Sequence, residues 1–477
     1  MYYNKNQCVY KTLFFISAVV NLIVLLLTED IISSWETQIT KTWIFVYGWL
    51  GIILIILMIF SWREKTGTIL SPYMIFMAFF MVFNYGQFLM WALGIHYQGE
   101  LGTTKWIRYM DPVTLLRIAM IVMTYASFFH LGALIIEGKK ETKYDIFIGD
   151  AEWFIWLILG ISYAIQMYSA VMNLRIARIY GYQALYYGDY VVEIEGIWKY
   201  ISYFFFPALM AYWISKDFSA KSFKVVIGIM TPYMVINLLA GDRGSWFYYV
   251  LILIWVYLAY IKQPKTGTIL RLGILGAMVL IITSILVKYR EIGYQNITAE
   301  NIGSVLGDLS YTFIKPFFEM GQSARVLGIL IQDNLHEKWS YGNTYVSGIL
   351  AMVLPRIKMW FGYPDFYLDN WISQTYMNLS NYGLGFTITA EAYLNGGEFF
   401  GSFIMMVLGM FFGRILNVTK ENMYDKMHMF VVFSSAGCFL PLPRGSCELM
   451  LRKWFWGCIV LGGILYLISF KQRKSAD

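Results

Sequence analysis

Charge is scarce in this chain, and that scarcity excludes a soluble protein. Charged residues make up 14% of the 477 positions against 58% apolar ones, with a mean hydropathy of +0.55, more apolar surface than a globular core of this length hides. Cysteine is equally sparse. Cys8, Cys438, Cys447 and Cys458 show no paired or metal-ligand spacing, which argues against a disulfide framework or a zinc site. The four histidines, His96, His130, His336 and His428, are scattered, and His130 falls mid-span, where a polar contact inside a helix bundle is the expected role. Asp-x-Asp, a P-loop, His-Glu-x-x-His and a nucleophilic Ser or Cys motif of recognised spacing are all missing. The chain is expected to use no cofactor and no metal.

Long apolar runs are what it has instead. A bilayer crossing takes roughly 18 to 22 such residues, and about twelve runs qualify, near 12–28, 43–62, 69–95, 113–136, 152–172, 197–214, 223–240, 244–261, 268–287, 397–416, 427–443 and 449–470. The fold class expected is an all-α polytopic integral membrane protein. The first run lacks a small-residue cleavage site before Thr28, Glu29 and Asp30 and reads as a signal anchor.

Orientation follows from Lys and Arg counted loop by loop, because positive residues near spans stay in the cytoplasm. Lys5 and Lys11, Arg63 and Lys65, Lys139, Lys140 and Lys143, and Lys216, Lys221 and Lys224 fall on one side; Lys262, Lys265 and Arg271, Lys420 and Lys426, and Lys471, Arg473 and Lys474 continue it. Both termini are therefore expected in the cytoplasm. The net charge of +7 is mostly this topological signal, and no nucleic-acid partner is needed to explain it.

The expected organisation is nine spans over 1–287, an extracytoplasmic loop over 288–396, and three spans with a cytoplasmic tail over 397–477. Within the loop, Ile302, Val305, Leu306 and Leu309 recur at helical spacing, and Phe313, Phe317 and Phe318 continue an apolar face, the pattern of amphipathic helices lying on the membrane surface. The stretch 363–381 is dense in Trp, Tyr, Asn and Asp; it suits either stacking on sugar faces or an aromatic belt at the lipid interface. A smaller outer loop, 174–196, carries Arg175, Arg178, Tyr180, Tyr182, Tyr186, Tyr187 and Tyr190. No inverted internal repeat is visible, which weighs against a transporter.

Three arginines stand where apolar runs break off on the outer side. Arg243 lies in Gly241-Asp242-Arg243-Gly244, whose glycines permit close backbone approach. Arg290 ends the ninth run beside Lys288, and Arg444 follows Pro441-Leu442-Pro443, prolines that must interrupt regular helix. An arginine at bilayer depth costs roughly 2.5 to 3.5 kcal/mol and persists only with a partner or a role; Asp242 is the partner available to Arg243. A guanidinium grips phosphate as a bidentate fork, so the set points to a phosphate or pyrophosphate headgroup, with anchoring on ordinary lipid phosphates as the plain alternative. Glu391, flanked by apolar and small residues before the tenth run, suits proton transfer or the holding of an arginine. Asn381, Tyr382 and Arg356 are further candidates for substrate contact.

At Gly241-Asp242-Arg243-Gly244, the Glu391 segment with Tyr393-Leu394-Asn395-Gly396-Gly397, and Pro443-Arg444-Gly445-Ser446, the chain resembles the Wzy-type O-antigen and capsular repeat-unit polymerases. The likeness runs over nearly the whole chain. It implies a fold similar to the GT-C membrane glycosyltransferases, in the bacterial cytoplasmic membrane, with the active site on the outer face. It further implies a growing glycan on undecaprenyl pyrophosphate as donor, a lipid-linked repeat unit as acceptor, and a polysaccharide chain-length regulator as partner. In that reading Arg243, Arg290 and Arg444, with Lys288, neutralise the leaving group without a metal. Glu391, ahead of Asp242, is the base. Gly396-Gly397 departs from the aromatic beside glycine expected at that place. An O-antigen ligase-like transferase or a lipid-linked oligosaccharide flippase is the alternative.

Overall fold

The computed structural model describes residues 5–97, 99–103, 108–137, 151–185, 194–242, 244–261, 309–338, 342–365, 367–379, 383–417 and 425–476. The protein is an all-helical polytopic membrane protein. Among the described residues, eight helices are long and apolar enough to cross a bilayer: Gln7–Thr28, Thr37–Thr66, Pro72–Ala92, Pro112–Ile135, Glu152–Tyr180, Ala220–Leu239, Ile388–Leu416 and Cys447–Lys471. Trp246–Ile261 is a shorter apolar helix. The ninth run expected from the sequence, 268–287, lies outside the described residues.

The Pro112–Ile135 helix is the axis of the bundle. Its start is fixed by Asp111, whose carboxylate accepts from Thr114 N at 2.9 Å, with Pro112 at the first turn. Burial acts to raise the Asp111 carboxyl, but the hydrogen bonds from Thr114 and Gln332 outweigh it and hold it below the usual range. The helix is buried over almost its whole length and packs against Lys5–Ile32, Thr37–Thr66 and Ile388–Leu416. Small residues permit the closest of these contacts. A Cβ added to Gly409 would stand 1.9 Å from the Phe129 carbonyl oxygen, and one added to Gly132 would stand 2.1 Å from that of Met406. With Arg117 meeting Glu398 at 2.8 Å and Gly413 meeting Ala133, the two helices run parallel at backbone contact, the geometry lipid-embedded helices reach through small residues. Gly409→Ala should therefore force the helices apart and lower the thermal midpoint in detergent, an overpacking cost of about 1–3 kcal/mol. Gly160→Ala, with nothing within 4 Å, should leave the midpoint unchanged; equal midpoints for both would contradict the packing.

Several polar groups inside this apolar core are paired. His130 meets Ser61 Oγ at 2.8 Å and Tyr73 OH at 2.9 Å, the internal polar contact expected of it. Lys65 donates to the carbonyls of Ala133, Leu134 and Ile136, and Arg414 donates to Glu137 O at 2.9 Å. Basic side chains thus cover the C-terminal end of the Pro112–Ile135 helix, where carbonyls lack helical partners.

Several elements differ from the sequence reading. The helix expected to begin at 397 begins at Ile388, and Gly397 (φ 54°, ψ −156°) bends it where Tyr125 OH donates to the Gly397 carbonyl at 2.5 Å. The run 197–214 is two helices, Gly196–Ser202 and Phe205–Ser215. Of the amphipathic pattern expected in the long segment before 388, Ile302, Val305 and Leu306 lie outside the described residues, and two helices that follow pack on protein. Leu309–Gly321 packs on Pro72–Ala92, where Gln87 Nε2 donates to Phe318 O at 2.8 Å, and Ala324–Gln332 is buried from Ala324 to Ile331. An amphipathic pattern fixes an apolar face but does not say whether lipid or protein covers it.

Candidate active site

The site forms at the bundle end opposite Lys65 and Arg414, around a turn dictated by proline. Pro441 and Pro443 cannot continue a helix, so Lys426–Phe439 stops short of them, a tight turn spans Leu442–Arg444, and a new helix starts at Cys447. Leu442 and Pro443 are buried. Asn84 pins the turn by donating to Pro443 O at 3.3 Å while its own oxygen accepts from Thr389 Oγ1 at 2.6 Å. Arg444 is left exposed, and its guanidinium makes no hydrogen bond or ion pair among the described residues. Gly385, in the left-handed region at φ 72°, brings its backbone alongside, so that an added Cβ would lie 3.5 Å from Arg444 Nε.

Glu391 enters the same corner from the first turn of the Ile388–Leu416 helix, which Thr387 caps by accepting from Ala390 N at 3.1 Å. It is completely buried. One carboxylate oxygen accepts from Thr344 Oγ1 at 3.0 Å and the other from the backbone N–H of Cys447 at 2.7 Å. Asn395 completes the set, donating to Thr344 Oγ1 at 2.6 Å and accepting from Thr344 N at 3.2 Å. The carboxyl therefore sits against two helix N-termini, its own and that of Cys447, whose dipoles lower the cost of a negative charge there. The arginine that Glu391 was expected to hold is not among these partners. Tyr345, within electrostatic reach of Glu391 and Cys447, keeps a buried hydroxyl without a hydrogen-bond partner among the described residues. Burial first, and Glu391 second, hold its phenol well above the usual tyrosine range, so it stays a proton donor.

A second carboxylate arrives from a distant segment. Asp369, half-buried, accepts from Ser446 Oγ at 3.0 Å, so neighbouring atoms of Ser446 and Cys447 hold Asp369 and Glu391. Burial pushes the Asp369 carboxyl above the usual range, although the Ser446 hydroxyl, its own backbone N–H and Arg444 all pull it down. Behind this pair, Glu448 receives Lys358 Nζ at 3.0 Å and Arg452 Nη2 at 2.9 Å, all three buried. Arg452 also donates to Ala351 O at 3.1 Å and to Tyr367 OH. The network ties the Pro355–Trp360 helix and the strand of chain before Asp369 to the helix carrying Cys447. Glu448→Gln would leave two buried cations sharing a neutral amide and should cost roughly 3 to 5 kcal/mol. Thermal unfolding in detergent checks this; a wild-type midpoint would show the network to be energetically idle.

Of the residues singled out from sequence, Arg444 and Glu391 come together here. Asp242 follows Gly241 (φ 87°), accepts from Gly244 N at 2.8 Å, and acts with Arg444 on Tyr248, so its turn faces the same end. Arg356 is exposed on Pro355–Trp360, whose neighbouring Lys358 points inward instead. Arg243, Arg290, Lys288, Asn381 and Tyr382 lie outside the described residues. Asp369, Thr344, Lys358, Glu448 and Arg452 were missed. Only Glu448 and Arg452 carried a local signal, an i,i+4 acid–base pair opening the last apolar run. Among the described residues no group of His, Cys, Asp and Glu has the arrangement of a metal site.

The fold defines the class: a polytopic helical membrane protein, one end of which carries an exposed guanidinium, unpaired among the described residues, and two carboxylates. Residues 10–474 match the O-antigen polysaccharide polymerase Wzy family, and the chain belongs to it. It is 24% identical over 344 residues to Protein CapE of Staphylococcus aureus, an alignment covering 70% of this chain and 71% of that protein. No solved structure matches it. Membership makes the protein a multi-pass membrane glycosyltransferase that polymerises lipid-linked oligosaccharide repeat units.

Proposed function

We propose that the protein transfers a growing glycan en bloc from undecaprenyl pyrophosphate to the non-reducing end of an incoming lipid-linked repeat unit, at the outer face of the cytoplasmic membrane. The exposed guanidinium of Arg444, unpaired among the described residues and two residues from the Ser446–Cys447 corner, carries this reading. Its fork matches pyrophosphate oxygens, and a fixed cation aimed at the charge developing on the leaving group is commonly the largest catalytic term. Arg243, Arg290 and Lys288 would complete the clamp, which then needs no metal. Glu391, with both oxygens engaged, acts as a positioning residue that holds the turn bearing Arg444. The GT-C-like fold and a chain-length regulator belong to the same proposal.

The orientation rests on charge. Lys65 and Arg414 sit at the far end from Glu391, and Lys216 and Lys426 are paired with Glu152 at 2.6 Å and Asp217 at 2.7 Å; positive residues of this kind favour the cytoplasm. The direction of growth is tested by extending a labelled short chain with unlabelled repeat units and trimming the product from its non-reducing end. En bloc transfer leaves the label at that end, released first. Label retained beside the lipid would overturn the direction of transfer.

A further inference from the structure

We propose that Asp369, rather than Glu391, is the catalytic base that accepts the proton of the acceptor hydroxyl; this rests on the polymerase reading above. The argument is one of access. Glu391 is completely buried and both of its oxygens are taken by Thr344 and the Cys447 N–H, so no substrate hydroxyl reaches it without breaking the corner. Asp369 is half-buried; its Oδ2 is held by Ser446, while Oδ1 meets no donor from another residue among the described residues. A base must come within hydrogen-bond reach of the proton it takes, and Oδ1 is the carboxylate oxygen at this corner that no donor from another described residue occupies.

Position supports the assignment. Ser446, which orients Asp369, is two residues from Arg444, and Asp369 lies within the electrostatic field of that guanidinium. Base and leaving-group cation are thereby set by one turn. Asp369 is also embedded in aromatic chain: Tyr367 precedes it, and the rings of Trp371 and Tyr376 follow, 5.6 Å apart. Such faces suit the apolar sides of a sugar ring. Burial, which raises the Asp369 carboxyl, moves it in the direction useful for accepting a proton near neutral pH.

In the step, the acceptor's O–H proton passes to Asp369 Oδ1 and the freed oxygen pair forms the bond to the donor's anomeric carbon. The anomeric C–O bond breaks, and its electron pair leaves on the pyrophosphate oxygen facing Arg444. The protonated Asp369 then returns its proton to water.

The test uses the full-length protein in liposomes with a lipid-linked repeat unit, read as single-turnover bond formation. Asp369→Ala and Asp369→Asn should each lower the rate by about 10²–10⁴-fold, the scale of a lost general base. Added formate should restore the Ala variant in proportion to its concentration, because a small carboxylate fits the space left and takes the proton. Wild-type rates in either variant would overturn the proposal. So would a loss that formate does not restore, which would assign Asp369 a purely structural role. Failure of the wild-type protein to form any glycosidic bond would instead remove the polymerase reading, and the base assignment with it.

Discussion

Arg444→Ala should lower turnover about a hundredfold or more, the scale of losing one preorganised charge-stabilising donor, while the protein reaches the membrane at wild-type levels. The second half follows from the structure, because the guanidinium is exposed and makes no hydrogen bond or ion pair with another described residue. Arg444→Lys should rescue poorly, since a point charge replaces a fork that meets two oxygens at once. The measurement is the initial rate of glycan extension at matched protein levels. A wild-type rate from the Ala variant would reduce Arg444 to an interfacial anchor.

Glu391→Gln should have the next largest effect, and of a different kind. The carboxylate accepts from Thr344 and from the Cys447 N–H, and Thr344 is itself held by Asn395. An amide offers one acceptor in place of two and must turn its NH₂ toward one of these donors. Leaving a buried group unsatisfied costs about 1–3 kcal/mol, so the thermal midpoint should fall. Because the Cys447 end of the turn loosens, donor binding should weaken as well, and adding Arg444→Ala should cost less than the two single effects combined. Unchanged midpoint and donor affinity with a collapsed rate would restore Glu391 as the base.

The fold was legible where apolar length alone decides it and illegible where polar groups find internal partners. Runs such as 43–62 and 113–136 announce themselves because a bilayer demands length. The start of the helix at Ile388 does not, since Thr389, Glu391 and Asn395 dilute its hydropathy; Asn84, Cys447 and Thr344 satisfy them from afar. Arg444 was visible because prolines and a glycine interrupt an apolar run at that point. Asp369 and Lys358 were not. Their partners Ser446 and Glu448 are 77 and 90 residues away, and nothing in the neighbouring sequence marks either contact. Local pattern thus found the turn that carries the site, one cation on it and Glu391, whereas the second carboxylate, Asp369, needed the folded chain.

The central claim is that this bundle joins repeat units by displacing a lipid pyrophosphate. Purified protein in liposomes, given only its lipid-linked repeat unit, should yield a ladder of glycans spaced by one unit and release one lipid pyrophosphate for each glycosidic bond formed. A repeat unit returned unchanged, or lipid pyrophosphate released without glycan growth, would contradict it.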